Sequence, residues 1–389
     1  MDIPMSSPDI SELERKSVLD VLNGPYLSNG PRTSEFERAF AAYVGSAHAA
    51  AVSSGTGGLH MCVVAAGVGK GDLVITSPFS FVASANVILY QGAVPVFVDV
   101  EEATGNMDLD ALEEAAEALE RGGRTRSKWL PPREPEGEST GTLKAVLPVH
   151  VFGEPLDCEV VGKVARRQGA SVIEDACEAL GAGGHGGKAG ARGDAGVFAF
   201  YPNKQITTGE GGMIVTDRDD WAETFKSLRN QGRDVFDAWL THSRLGFNYR
   251  MDEMSAALGV AQLHRIDELL SKRARVAHWY EERLSGLEGV ATPPVSAGSL
   301  TKTWFVYVIR LQDAGHRTRV MEGLSQRGVP SRPYFTPIHL QRVYVERFGY
   351  RRGMFPVSEA LGDICLALPF SGVMSESQVD YVCEQLRSL

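Results

Sequence analysis

Between His48 and Asp217 the chain keeps switching between two rhythms. Short apolar runs at 48–52, 73–76, 95–100, 142–151, 170–175 and 213–217 alternate with stretches of helical spacing at 80–91, 109–119 and 157–168. Such alternation predicts an α/β fold with a mostly parallel sheet flanked by helices, and an open sheet of that kind gathers its ligands at the carboxyl ends of its strands. Helical segments at 9–22 and 33–43 precede it, the second carrying Phe36, Phe40 and Tyr43 on one face, and a long helix over 252–284 follows. After that the pattern changes. A strand at 304–311, an amphipathic helix at 317–328, the loop Arg332 to His339 and a closing helix from about 375 read as a smaller C-terminal α+β domain. The expected division is 1–260 for the large domain and 261–389 for the small one. One stretch, 121–141, rich in Pro, Gly and Arg and containing Trp129, reads as an exposed insertion whose basic run is solvated.

The residues able to do chemistry fall at strand ends. Phe198 to Phe200 is an apolar strand that Pro202 breaks, and Lys204 sits between that break and the turn Thr208-Gly209-Glu210-Gly211-Gly212. A lysine withdrawn from water gives up its proton more readily and attacks carbonyls, which makes Lys204 a Schiff-base candidate; a turn lysine facing water is the alternative. The strand 48–52 runs into Ser54-Gly55-Thr56-Gly57-Gly58 and a helix. This geometry aims free N–H groups and the positive helix end at one spot, suited to a phosphate, although the glycines could equally serve tight packing. The turn has neither the Gly-Lys-Ser/Thr of a nucleoside-triphosphate loop nor dinucleotide spacing. Asp175 ends a buried strand where it can pair with a protonated ring nitrogen or cap the helix-like run that follows. Glu174 must face the other way, because successive strand side chains alternate. Phe79 and Phe81 follow another strand end, as a plate for a planar ligand or as core.

Bulk properties narrow the partners. The net charge of −10 and the lack of a basic stripe argue against nucleic acid. No uninterrupted run of about 18 apolar residues is present, so no membrane span is expected. The five cysteines are scattered without a Cys-x-x-Cys pair, which suggests reduced thiols, no metal site and a cytoplasmic setting. A phosphate cradle, an aromatic plate, an acid for a pyridine nitrogen and an amine are together what pyridoxal 5′-phosphate requires.

The chain also resembles the DegT/StrS-type sugar aminotransferases of pyridoxal-phosphate fold type I, nearly end to end. The resemblance is carried by Gly30-Pro31 with Glu35-Phe36-Glu37, Ser54-Gly55-Thr56, Pro78-Phe79-Ser80-Phe81-Val82-Ala83 with Asn86, and His150-Val151-Phe152-Gly153 with Asp157. It continues through Glu174-Asp175-Ala176, Tyr201-Pro202-Asn203-Lys204, Thr208 to Gly212, and Asn248-Tyr249-Arg250-Met251 with Ala256-Ala257-Leu258-Gly259. It implies a homodimer with shared active sites. Gly55 and Thr56 would bind the phosphate, Phe81 would stack on the ring, Asp175 would meet the ring nitrogen, and Lys204 would form the internal aldimine. Asn248 would reach the neighbour's phosphate, and Tyr334 and His339 would face the sugar.

Two departures from the family pattern stand out. Glu178 replaces a Gln or His and would contact the cofactor near its phenolic oxygen with altered charge. Ala199 replaces a Ser and shifts phosphate binding onto backbone groups and Asn248. The implied reaction takes an amino group from an amino acid, expected to be L-glutamate, through pyridoxamine phosphate to a keto group of a nucleotide-linked sugar. Rival readings are a pyridoxamine-dependent sugar dehydratase, which would have histidine at 204, a lyase acting on sulfur amino acids, and a ligand-sensing regulator without turnover.

Overall fold

The computed structural model describes residues 2–133, 141–184, 186–234, 241–294 and 300–389. Its strands in chain order are β1 (His48–Val52), β2 (Leu73–Thr76), β3 (Val94–Phe97), β4 (Leu143–Val146), β5 (Ser171–Asp175), the hairpin β6 (Gly183–Gly184) and β7 (Gly187–Lys188), β8 (Ala195–Ala199), β9 (Gly212–Thr216), β10 (Val290–Ala291), β11 (Tyr307–Leu311), β12 (Arg332–Pro333) and β13 (Cys365–Leu368). Seven of them form one sheet in the order β1-β9-β8-β5-β4-β2-β3. Every pair from β8 to β3 is parallel, and β9 alone runs against its neighbours. The strands read as unbroken apolar runs because helices cover both faces: β2, β3 and β9 are buried along their whole length. A second, antiparallel sheet in the order β10-β11-β13-β12 lies in the C-terminal part.

The strand that leads to Lys204 is held by aromatic packing. Phe36 and Phe40, on the helix Pro31–Val44, pack against Phe198 and Phe200, with ring centroids 5.0 to 5.6 Å apart across the contact. All four rings are buried, and each such side chain contributes about 1.5–3 kcal/mol. Gly259, on the helix Glu253–His264, lets that helix approach, since a Cβ there would lie 2.5 Å from the Phe36 ring. The position of the β8 end is therefore fixed from two helices.

One expectation is corrected and another refined. The helix over 252–284 is broken at Arg265 into Glu253–His264 and Ile266–Leu284. Arg265 leaves helical geometry, and its guanidinium is engaged by Asp9, Glu14 and Glu268, which ties the N-terminal segment into the break. The stretch 121–141 exposes Arg121, Arg124, Lys128 and Arg133 in its described part, but it is anchored rather than loose. Gly123–Ser127 is a short helix, Arg126 donates to the carbonyls of Leu119 and Gly141, and Trp129 and Leu130 pack against a core that includes Tyr344, Phe348 and Tyr350. Trp129 supplies the apolar area that makes docking more favourable than exposure. Residues 134–140 lie outside the described set.

Candidate active site

The carboxyl ends of β1, β2, β5 and β8 and two segments of the C-terminal part converge on a cavity of about 440 Å³, whose walls include Gly55, Thr56, Phe81, Asp175, Glu178, Ala199, Lys204, Phe305 and Tyr334. At its floor, Ser54 caps the helix Gly55–Ala65 by accepting the Gly57 N–H at 3.0 Å. The first N–H groups of a helix have no intrahelical acceptor, so those of Gly55 and Thr56 remain available at the positive helix end. Gly55 is required by space. A Cβ there would sit 2.8 Å from the Ala199 Cβ and 2.9 Å from the Cys177 Sγ, so glycine is what keeps this cradle open.

Lys204 projects into the cavity from a turn closed by its own N–H bonding to the Tyr201 carbonyl at 2.9 Å. Its Nζ lies 3.7 Å from Glu178 Oε1 and 3.7 Å from the centre of the Phe305 ring. Glu178 is held on its other side, where Oε2 accepts the Phe152 N–H at 2.9 Å. Delivering that N–H puts Phe152 in left-handed geometry at φ +55°, a conformation costly for a bulky residue, and Gly153 follows at φ +84°. No other residue fits at 153, since a Cβ would lie 1.8 Å from the Thr303 carbonyl oxygen. The His150-Val151-Phe152-Gly153 motif is thus the device that orients Glu178.

Asp175 is buried and accepts the Cys177 N–H at 3.1 Å, so it both caps the following turn and faces the cavity. Burial pushes its carboxyl above the ordinary range, against the hydrogen bonds from Cys177 and the charge of Lys204. Glu178 is raised likewise by burial, opposed first by Lys204. Glu174 faces the other way, as strand alternation requires. Burial raises its pKa, but His150 and the N–H groups of the next loop outweigh that and hold it below the carboxylate range. The N–H groups of Gly190, Arg192 and Gly193 bond to it at 2.6–2.8 Å and His150 Nε2 at 2.9 Å. His150 Nδ1 accepts from the Leu156 N–H, so Nε2 carries the proton given to Glu174. With Cys158 also directed at Glu174, these three residues form a closed hydrogen-bond set that holds the loop 190–193.

Phe81 is 63% exposed at the cavity, free to lie over a planar ligand. Tyr334 is on the wall; its hydroxyl is pushed up to about 12, by burial first and then by the charge of Glu178. Asn248 is exposed and off the wall, in a segment that pairs Asn248 with Asn230 and Arg250 with Val52. His339 is a correction. It is fully buried, its Nε2 bonded to Glu359 at 2.9 Å and its ring packed on Phe355, because apolar surroundings and a carboxylate partner hold it behind the loop. It does not line the cavity. Phe305, which the sequence reading left inside an ordinary strand, was missed; the only signal for it is its place just before a strand of the second sheet.

The cavity fits pyridoxal phosphate on the evidence of its own residues: a glycine cradle at a helix end, a buried acid, an amine and an exposed ring meet in one space. Residues 8–387 match the DegT/DnrJ/EryC1/StrS aminotransferase family. The chain is 39% identical over 387 residues to a GDP-perosamine synthase of Caulobacter vibrioides, covering 99% of this chain and 97% of that protein. It is 33% identical to the spore coat polysaccharide biosynthesis protein SpsC of Bacillus subtilis, covering 100% and 97%. The crystal structure of the aminotransferase TlmJ from Streptoalloteichus hindustanus superposes with a TM-score of 0.87 at 30% identity, over 99% of this chain and 98% of that one. Sequence, fold and site agree: the chain belongs to the DegT/DnrJ/EryC1/StrS aminotransferase family, and it is a pyridoxal-phosphate-dependent enzyme.

Proposed function

We propose that this sugar aminotransferase takes an amino group from L-glutamate and delivers it to the keto group of a nucleotide-linked sugar, working as a homodimer with shared sites. The observation that carries the reading is the amine of Lys204 facing Glu178 in the cavity that Asp175 and the Gly55–Thr56 helix end also line. When bound, pyridoxal phosphate supplies an electron-withdrawing ring that makes the carbon next to the amino group acidic. The chain does the rest. The N–H groups of Gly55 and Thr56 hold the phosphate, Asp175 keeps a pyridine nitrogen protonated, and Phe81 covers the ring. Lys204 provides the amine that holds the cofactor and then carries the proton between carbon atoms as general base and acid. Glu178 keeps that amine on one side of the ring, Tyr334 faces the sugar, and Asn248 extends toward the partner's phosphate.

The likeness to a GDP-perosamine synthase makes a GDP-linked keto sugar the first acceptor to test. Adding pyridoxal phosphate to the protein should produce a visible absorbance band that L-glutamate bleaches and a GDP-linked keto sugar restores. Lys204→Ala should show no such band, and its turnover should fall by at least about 10²–10⁴-fold, the usual contribution of a positioned acid and base. A wild-type protein without the band would overturn the assignment, and a band indifferent to every amino donor would favour a lyase.

A further inference from the structure

Arg273, on the helix Ile266–Leu284, is only 4% exposed. Among the described residues no carboxylate pairs with it; Asp9, whose charge acts on it from a distance, is engaged by Arg265 and Lys272. Burial lowers its pKa to about 10, so it remains a cation at neutral pH. All its hydrogen bonds go to backbone carbonyls. Nη2 donates to Asn203 O at 3.0 Å and Lys204 O at 2.5 Å, while Nη1 donates to Phe305 O at 3.2 Å and Trp304 O at 3.4 Å. One pair of carbonyls belongs to the turn that carries the Lys204 amine. The other belongs to the segment that carries the ring on which that amine rests, 3.7 Å away.

A guanidinium buried without a counter-ion carries a desolvation penalty that an apolar side chain would not. Its planar fork is what this site uses, because it can hold two carbonyls on each side at fixed angles, which an ammonium cannot do. We propose that Arg273 is a positioning residue for the aminotransferase reaction, clamping the Lys204 backbone and the Phe305 ring with one guanidinium so that the Lys204 amine has a single location. The proposal rests on the aminotransferase reading, and it gives the residue no contact with substrate.

The test uses full-length Arg273→Lys and Arg273→Met beside the wild type. Four quantities are read: the rate at which the visible band develops when cofactor-free enzyme meets pyridoxal phosphate, the single-turnover bleaching rate with whichever amino donor bleaches the wild type, the KM for that donor, and the melting temperature. An amine displaced by about 1 Å can lose about 10²-fold in rate. Arg273→Lys is therefore expected to stay folded, with capture and bleaching each slowed about 10- to 100-fold and the donor KM within about twofold. Arg273→Met, if folded, should be slower still.

Folded Arg273→Lys with both rates within about threefold of the wild type overturns the proposal. So does an Arg273→Lys that cannot fold, which would make the residue a stability element. Should the wild type resist bleaching by every amino acid, the aminotransferase reading fails, and the capture rate, which needs only Lys204 and the cofactor, still decides the clamp.

Discussion

Lys204 and Glu178 face each other in the cavity, and burial bears on the ionisation of the acid. Its folded pKa is raised by burial above the unfolded value. The stability it contributes is therefore complete below the unfolded pKa and is lost as pH rises through the folded one. Glu178→Gln removes that titration. In cofactor-free protein the melting temperature of the variant, relative to the wild type, should climb as pH goes from about 5 to about 8, and a difference independent of pH would refute the assignment. At this scale the sequence is informative where a residue's place follows from its own strand. Asp175 can be read because it ends a strand and Lys204 because it follows the break in one, and alternation separates Asp175 from Glu174. Phe305, Arg273 and the burial of His339 are not legible, since each depends on contacts between segments far apart in the chain.

The elements that shape the cavity are turns with no room for a side chain. The helix Gly55–Ala65 begins where β1 ends, against Ala199 at the end of β8 and Cys177 beyond β5. Gly55→Ala would force a methyl into contacts under 3.0 Å with both, an overpacking that costs about 1–3 kcal/mol. The same displacement distorts the cradle proposed for the phosphate. The dissociation constant for pyridoxal phosphate, measured by titrating the visible band, should rise by at least about tenfold, the equivalent of about 1.4 kcal/mol. An unchanged constant would move the phosphate elsewhere. Strands and helices of the α/β part could be anticipated from period alone, but the break at Arg265 could not. The apolar rhythm runs through it without interruption, and the break is stabilised by Asp9 and Glu14, carboxylates from the other end of the chain. The packing of Trp129 escaped for a related reason: Pro, Gly and Arg mark a loop, but composition does not say which surface the loop's one large ring will meet.

Over the whole molecule, Asn248, like the buried His339, lies off the wall of the cavity it was expected to serve. Asn248 is exposed, while Tyr249, beside it, stacks on Phe247 at 5.0 Å and bonds to His60 at 3.2 Å, so the segment is anchored by its neighbours. A residue so fixed can reach a phosphate only if a second copy of the chain brings its own cavity to it. This makes Asn248 a test of the homodimer. Asn248→Asp sets a negative charge against the phosphate and should by itself deprive both sites of cofactor, as Lys204→Ala should deprive both of the amine. If each site draws Lys204 from one protomer and Asn248 from the other, a mixed dimer of the two variants has one site bearing both changes and one bearing neither. Unfolding and refolding an equal mixture gives mixed dimers as about half the total, so activity should recover to about a quarter of the wild-type value per protomer. In sites built from a single chain, every site in that mixture would carry one lesion, and mixing would restore nothing.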